Sequence, residues 1–80
     1  MDKASLERLN EYDDFMIFKA KVKNAKENIN LVNYYQRIIY ALLSDDRKSI
    51  LEENKDMILS NINNLLKMIY KVKNFVEDEL

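Results

Sequence analysis

Apolar residues recur every three or four positions through the second half of the chain. Leu51, Lys55, Ile58, Ile62, Leu65, Ile69, Val72 and Val76 are spaced 4, 3, 4, 3, 4, 3, 4, and only Lys55 is not apolar. That rhythm belongs to a long helix packing along one seam. A second series runs through the first half: Phe15, Phe18, Val22, Ala25, Ile29, Val32, Gln36, Ile39 and Leu43, interrupted only by Gln36. The stretch Lys23 to Asn30 is polar, yet Ala25 and Ile29 keep the beat and no breaker interrupts it. The favoured reading is one helix from about Ser5 to Leu43. A break near residues 24–30 is the alternative.

Before Phe15 the signal is sparse. Leu6, Leu9 and Tyr12 are the apolar beats, Ser5 or Asp2 suits a helix cap, and Glu7 suits a first turn. Asp13 and Asp14 suit a new helix start, which would leave residues 1–14 as a loosely packed arm. Ser44, Asp45 and Asp46 form the best turn signal, because their side-chain oxygens accept free amides at a helix start. The next helix is expected from about Asp46 to Glu77, with Glu52 and Glu53 near its positive end.

Two helices joined by a short connection run antiparallel. Matching the two seams about residue 45 pairs residues whose numbers total 90 or 91. Phe18 then meets Val72, Ile29 meets Ile62, and the polar Gln36 and Lys55 share a layer. The expected fold is all-α: a single domain over residues 1–80, with an antiparallel coiled-coil hairpin of two long helices and a turn near 44–46. A further apolar set lies off the seam, at Leu31, Tyr35, Ile38 and Leu42 with Tyr34 and Tyr40, and at Leu59 and Leu66. Monomers rarely leave such stripes uncovered. Dimerisation into a four-helix bundle would cover them, as would a three-helix bundle broken near residues 24–30, or a protein partner.

Composition narrows the function. The chain has 80 residues and no Gly, Pro, Cys or His. Without Gly and Pro, tight turns are few and helices are favoured. Without Cys, no disulfide supports so small a domain, and with His also missing a zinc site is ruled out. His is the commonest general base, and without it the four serines lack the usual activating partner. No Gly-rich loop is present to cradle a phosphate. Adjacent carboxylates such as Asp13 and Asp14, or Glu52 and Glu53, point about 100° apart on a helix and do not converge. The chain therefore reads as no enzyme, with no cofactor and no metal.

The net charge of −1 draws the protein neither to nucleic acid nor to anionic membrane. Met1 is followed by Asp2 and no membrane-length apolar run follows, so a soluble, cytoplasmic protein is expected. Charge is nonetheless zoned. Lys19, Lys21, Lys23 and Lys26 lie level with Lys67, Lys71 and Lys73, between two acidic ends. Phe, Tyr, Met, Ile, Asn and Lys supply 40 residues, against seven from Gly, Ala, Arg and Pro. That balance is the mark of AT-rich coding sequence.

The expected function is that of a small interaction protein: an inhibitor, adaptor or regulator, of a size and codon bias that suit a phage or mobile element. Its partner-binding face would be Leu31, Tyr34, Tyr35, Ile38, Tyr40, Leu42, Leu59 and Leu66, engaging a protein or a second copy in a homodimer. Two alternatives stand beside it. One is a nucleic-acid-binding hairpin dimer using the lysine girdle, although the girdle has no Arg for bidentate phosphate contacts. The other is a small secretion chaperone or structural assembly subunit.

Overall fold

The computed structural model describes residues 3–80, with side chains at Arg8 and from Glu11 onward. Helix α1 spans Lys3–Leu43, α2 spans Lys48–Glu53 and α3 spans Lys55–Glu79. The fold is an all-α hairpin in which the two long helices pack against each other. Helix α1 passes unbroken through residues 24–30, so the three-helix alternative does not hold. It also runs straight through Asp13 and Asp14, which start no new helix. With neither Gly nor Pro, nothing interrupts its backbone ladder. Helix α1 already includes Ser5, which is therefore not its cap; Asp2, and the side chains of Leu6, Glu7 and Leu9, lie outside the described residues.

The chain reverses at residues 44–47 without any positive φ among the described residues. Ser44 caps no following helix. Its hydroxyl instead donates to the Tyr40 carbonyl at 2.8 Å, closing the end of α1. Asp45 accepts the Arg47 backbone N–H at 3.0 Å, an Asx-type turn. It also holds the Arg47 guanidinium through two bonds, of 3.0 and 2.6 Å. Arg47, in an extended conformation, stands at the N-cap of α2 with no side-chain cap bond. The expected continuous second helix is interrupted at Asn54, with φ −94° and ψ 3°. The bonds Asn54 N–H to Ile50 O and Ile58 N–H to Asn54 O bridge the kink.

This connection corrects the expected register. Helix α2 packs little against α1 and acts as a connecting arm. The reversal therefore spans residues 44–54, whose midpoint is residue 49 rather than 45. Phe18 meets Phe75, with ring centroids 6.1 Å apart, instead of Val72. Lys21 reaches Glu79. Level pairs thus total 93 to 100, close to one heptad beyond the expected 90 or 91.

The seam also turns in phase. On α1 the expected line through Phe18, Ala25, Val32 and Ile39 does face α3. Its companion line is Asn28, Tyr35 and Leu42, in place of Ile29, Gln36 and Leu43, while Val22 stays half-buried and Lys21 is exposed. Among the described residues Asn28 is the one that is buried, at 7% exposure, while its neighbour Ile29 is 44% exposed. On α3 the line Ile58, Leu65 and Val72 is kept. Asn54, Asn61, Met68 and Phe75 join it, while Lys55, Ile69 and Val76 are exposed and Ile62 is half-buried at the edge. Gln36 and Lys55 are both exposed and form no polar layer.

Two consequences bear on function. No apolar side chain among the described residues is buried. Full burial of a Leu-sized side chain contributes about 1.5–3 kcal/mol, and no residue here attains it. The second consequence is an overhang. Phe18 reaches Phe75 and Lys21 reaches Glu79, so α3 ends between the levels of residues 14 and 21, and α1 runs on alone over at least residues 3–13, about 16 Å at 1.5 Å per residue. The molecule is a rod of 72 × 16 × 15 Å.

Candidate functional site

The expected partner face does not assemble as one surface. Tyr35, Ile38 and Leu42 are half-buried at the helix–helix seam. Tyr34 is 58% exposed and stacks edge-on against Tyr35, with centroids 5.4 Å apart. Leu31, three residues before Tyr34, is exposed on the same flank. Leu31, Tyr34 and Ile38 thus form a compact tyrosine-bearing patch. Tyr40, 77% exposed, lies on the opposite flank of α1 beside Asn33, Gln36 and Arg37. Leu59 and Leu66 are exposed on α3 and extend the line of Ile62 and Ile69. They lie on the Tyr40 side of the hairpin, away from Leu31 and Tyr34.

The lysine girdle is likewise divided. Lys19, Lys23 and Lys26 rim a shallow apolar depression lined by Met16, Ala20 and Val22. Lys21 and Lys71 lie on the other flank, in a polar groove with Asn24, Asn28, Asn74, Asp78 and Glu79. There Lys21 pairs with Glu79. Lys73 pairs with Glu77 at 3.4 Å and stands 6.0 Å from the Tyr70 ring centre. Lys67 is exposed on α3. The register shift places the acidic end of α3 among these lysines, so the girdle is not a surface of one sign.

The sequence reading assigned another set to the seam and thereby missed it as a surface. Val22 and Ile29 on α1, with Val72, Phe75 and Val76 on α3, line an open apolar groove also edged by Lys26 and Asn30. Ile69 continues it one heptad back from Val76, and Phe15 extends it one heptad beyond Val22. Toward the turn the same flank becomes polar at Asn33, Gln36 and Arg37. On α3 the apolar line nonetheless continues through Ile62, Leu66 and Leu59 toward the turn, and Tyr40 stands on the same flank of α1. Its signal was present as heptad periodicity, but periodicity does not say which of two adjacent lines a partner helix covers.

Among the described residues, no group of three or more Asp and Glu side chains converges as a metal site. One ionisable pair among the described residues is perturbed: the Arg47 guanidinium and amide hold the Asp45 carboxyl below the usual carboxylate range. That pair belongs to the turn. No helix among the described residues is long and apolar enough to cross a membrane. Comparison of the chain with protein-family models, curated proteins and solved structures finds no match.

Proposed function

We propose that the chain is a small non-catalytic interaction protein, an adaptor or inhibitor, that docks a protein partner on the patch of Leu31, Tyr34 and Ile38. The observation that carries this reading is the lack of any buried apolar side chain among the described residues, together with exposed large apolar groups on both flanks. Helices striped in this way satisfy themselves against further protein. Tyr suits such a site, because it adds large contact area at low entropic cost and keeps a polar tip. The phosphate-binding alternative is weaker, since acidic groups occupy the lysine flank that holds Lys21 and Lys71.

The test is affinity capture from the source cells with the native chain and with a Leu31→Asp/Tyr34→Ala variant, at low and high salt. Both residues are exposed, so the variant keeps the helical signal. The reading expects a protein retained at high salt by the native chain and lost from the variant. A partner equally retained by the variant, or nucleic acid released steeply by salt, would overturn it.

A further inference from the structure

We propose that the protein pairs with a second copy of itself flank to flank, on the face that carries Ile29 and Ile69, with the two hairpins running in opposite directions. This goes beyond the partner reading, because it uses the flank opposite Leu31 and Tyr34.

Area and shape select that occupant. On α1, Phe15, Ile29, Tyr40 and Leu43 are 44–77% exposed, and on α3, Leu59, Leu66, Ile69 and Val76 are 42–48% exposed. At roughly 200 Å² for a fully exposed large apolar residue, these together present about 800 Å². A stable interface takes about 800 Å² from each partner. The opposite flank, with Ile17, Leu31, Tyr34 and Met57, presents about half as much by the same measure. The face is also two helices wide and, from Phe15 to Leu43, about 42 Å long at 1.5 Å per residue. A single helix is about 10 Å across and would leave part of the face bare on a rod 16 Å wide. Another two-helix face of the same length covers it, and the chain itself supplies one.

Charge sets the direction. The charged residues on the exposed lines of this face are Lys19, Lys26, Lys55 and Lys73, all basic. Two hairpins stacked in the same direction would set Lys26 of one over Lys73 of the other, because level pairs total 93 to 100. A two-fold axis across the rod at Ile29 and Ile69, which are level with each other, avoids this. It pairs residues whose numbers total 58 or 59 on α1 and 138 or 139 on α3. Ile29 and Ile69 then each meet their own counterpart, Phe15 meets Leu43, and Ile62 meets Val76. Lys19 meets the ring of Tyr40, a cation–π pairing, and Lys26 meets Asn33. Lys73, held by Glu77, lies over Leu66, and Lys55 falls past the end of the facing α3. A register one heptad further toward the open end would oppose Lys26 to Lys26 and Lys73 to Lys73. One heptad toward the turn would set Val76 against Lys55. The like charges Lys23 and Arg37 face each other only on the next line outward, where both are exposed. The interface is isologous, and both Leu31–Tyr34 patches remain free on its outer sides.

The test is solution mass by light scattering across a concentration series, with single cysteines to read the arrangement. The native chain is expected at about twice its 9.6 kDa mass. Ile29→Asp/Ile69→Asp brings like charges together at the axis and is expected to weaken the dimer on the order of a hundredfold. Both positions are exposed, and circular dichroism checks that the helices persist. Leu31→Asp/Tyr34→Ala, on the other flank, is expected to leave the mass doubled. The chain has no Cys of its own. Ile29→Cys alone, and Ile69→Cys alone, are each expected to form a covalent dimer with a bismaleimide of about 10 Å reach, the spacing of packed helices. Tyr34→Cys is expected to stay single. A native chain that stays at single mass up to about 1 mM would overturn the proposal. So would a dimer indifferent to Ile29→Asp/Ile69→Asp, cross-linking at Tyr34→Cys in place of Ile29→Cys, or linkage that needs a mixture of Ile29→Cys with Ile69→Cys. Capture of a protein through Leu31 and Tyr34 tests the partner reading separately, whichever mass is found.

Discussion

Phe15 and Phe18 stand three residues apart on one uninterrupted helix, and their surroundings differ. Phe18 reaches Phe75 across the hairpin, whereas Phe15 is 60% exposed. The shaft, from Phe18 to the turn, is helical because two seams hold it. The overhang is helical because it extends a helix already nucleated. Adding a residue to an existing helix needs only one more hydrogen bond and a fair propensity, while starting one is costly. Helix continuity in α1 therefore says little about which part has a partner. Side-chain burial separates the two regions where backbone structure does not.

The largest test of that contrast places a charge in the shaft. Val32→Asp sits at the half-buried seam, where an unpaired carboxylate is costly. A loss of about 3 kcal/mol is expected, enough to abolish cooperative melting of so thin a hairpin. If Val32→Asp melts like the native chain, the seam assigned here is wrong. Next in size is Asn28→Leu, which replaces the one buried polar residue of the seam. A polar residue in a heptad seam specifies register at a cost in stability. Thermal melting is expected to rise by roughly 1–2 kcal/mol, with register less well defined. A destabilised Asn28→Leu would show that Asn28 makes a contact the shaft depends on.

Smaller effects sharpen the comparison. Asn54→Ala removes a poor helix former from the kink, and a gain of about 0.5 kcal/mol is expected by denaturant titration. Ile17→Ser, exposed at the open end of α1, should change the melting of dilute, single-mass protein by no more than about 0.5 kcal/mol. A much larger change would mean that this end is covered within one copy. The smallest effect concerns pH. The carboxyl of Asp45 titrates below its ordinary value because the folded turn favours its charged form. Its contribution is complete above the ordinary aspartate range and is lost as pH falls through the lowered value. The protection of the Arg47 amide, taken relative to its intrinsic exchange rate at each pH, should therefore fall under acid in the native chain, and Asp45→Asn should already show the lower protection at neutral pH.

Much of the architecture was legible before any coordinates. The absence of Gly and Pro, and two heptad series meeting at Ser44–Asp46, pointed to a helical hairpin with a continuous first helix. The candidate surface was legible only in part. Leu31 and Tyr34 were found and are exposed together, but Tyr40, Leu59 and Leu66 were grouped with a flank on which they do not lie. The apolar strip of Val22, Ile29 and Val76 went unseen because each residue had a satisfactory seat in the expected seam.

The primary sequence thus determined the elements, since propensity and capping act within a turn or two of each residue. Tertiary structure decided phase and register. Adjacent lines on these helices both carry apolar residues, such as Tyr35 and Leu42 beside Ile29, so a turn of half a residue spacing exchanges Ile29 for Asn28. A slip of one heptad likewise restores a similar seam. What broke the tie was the connection: α2 bends away at Asn54 and packs little on α1. That moved the hairpin's midpoint toward residue 49 and left the beginning of α1 without a neighbour.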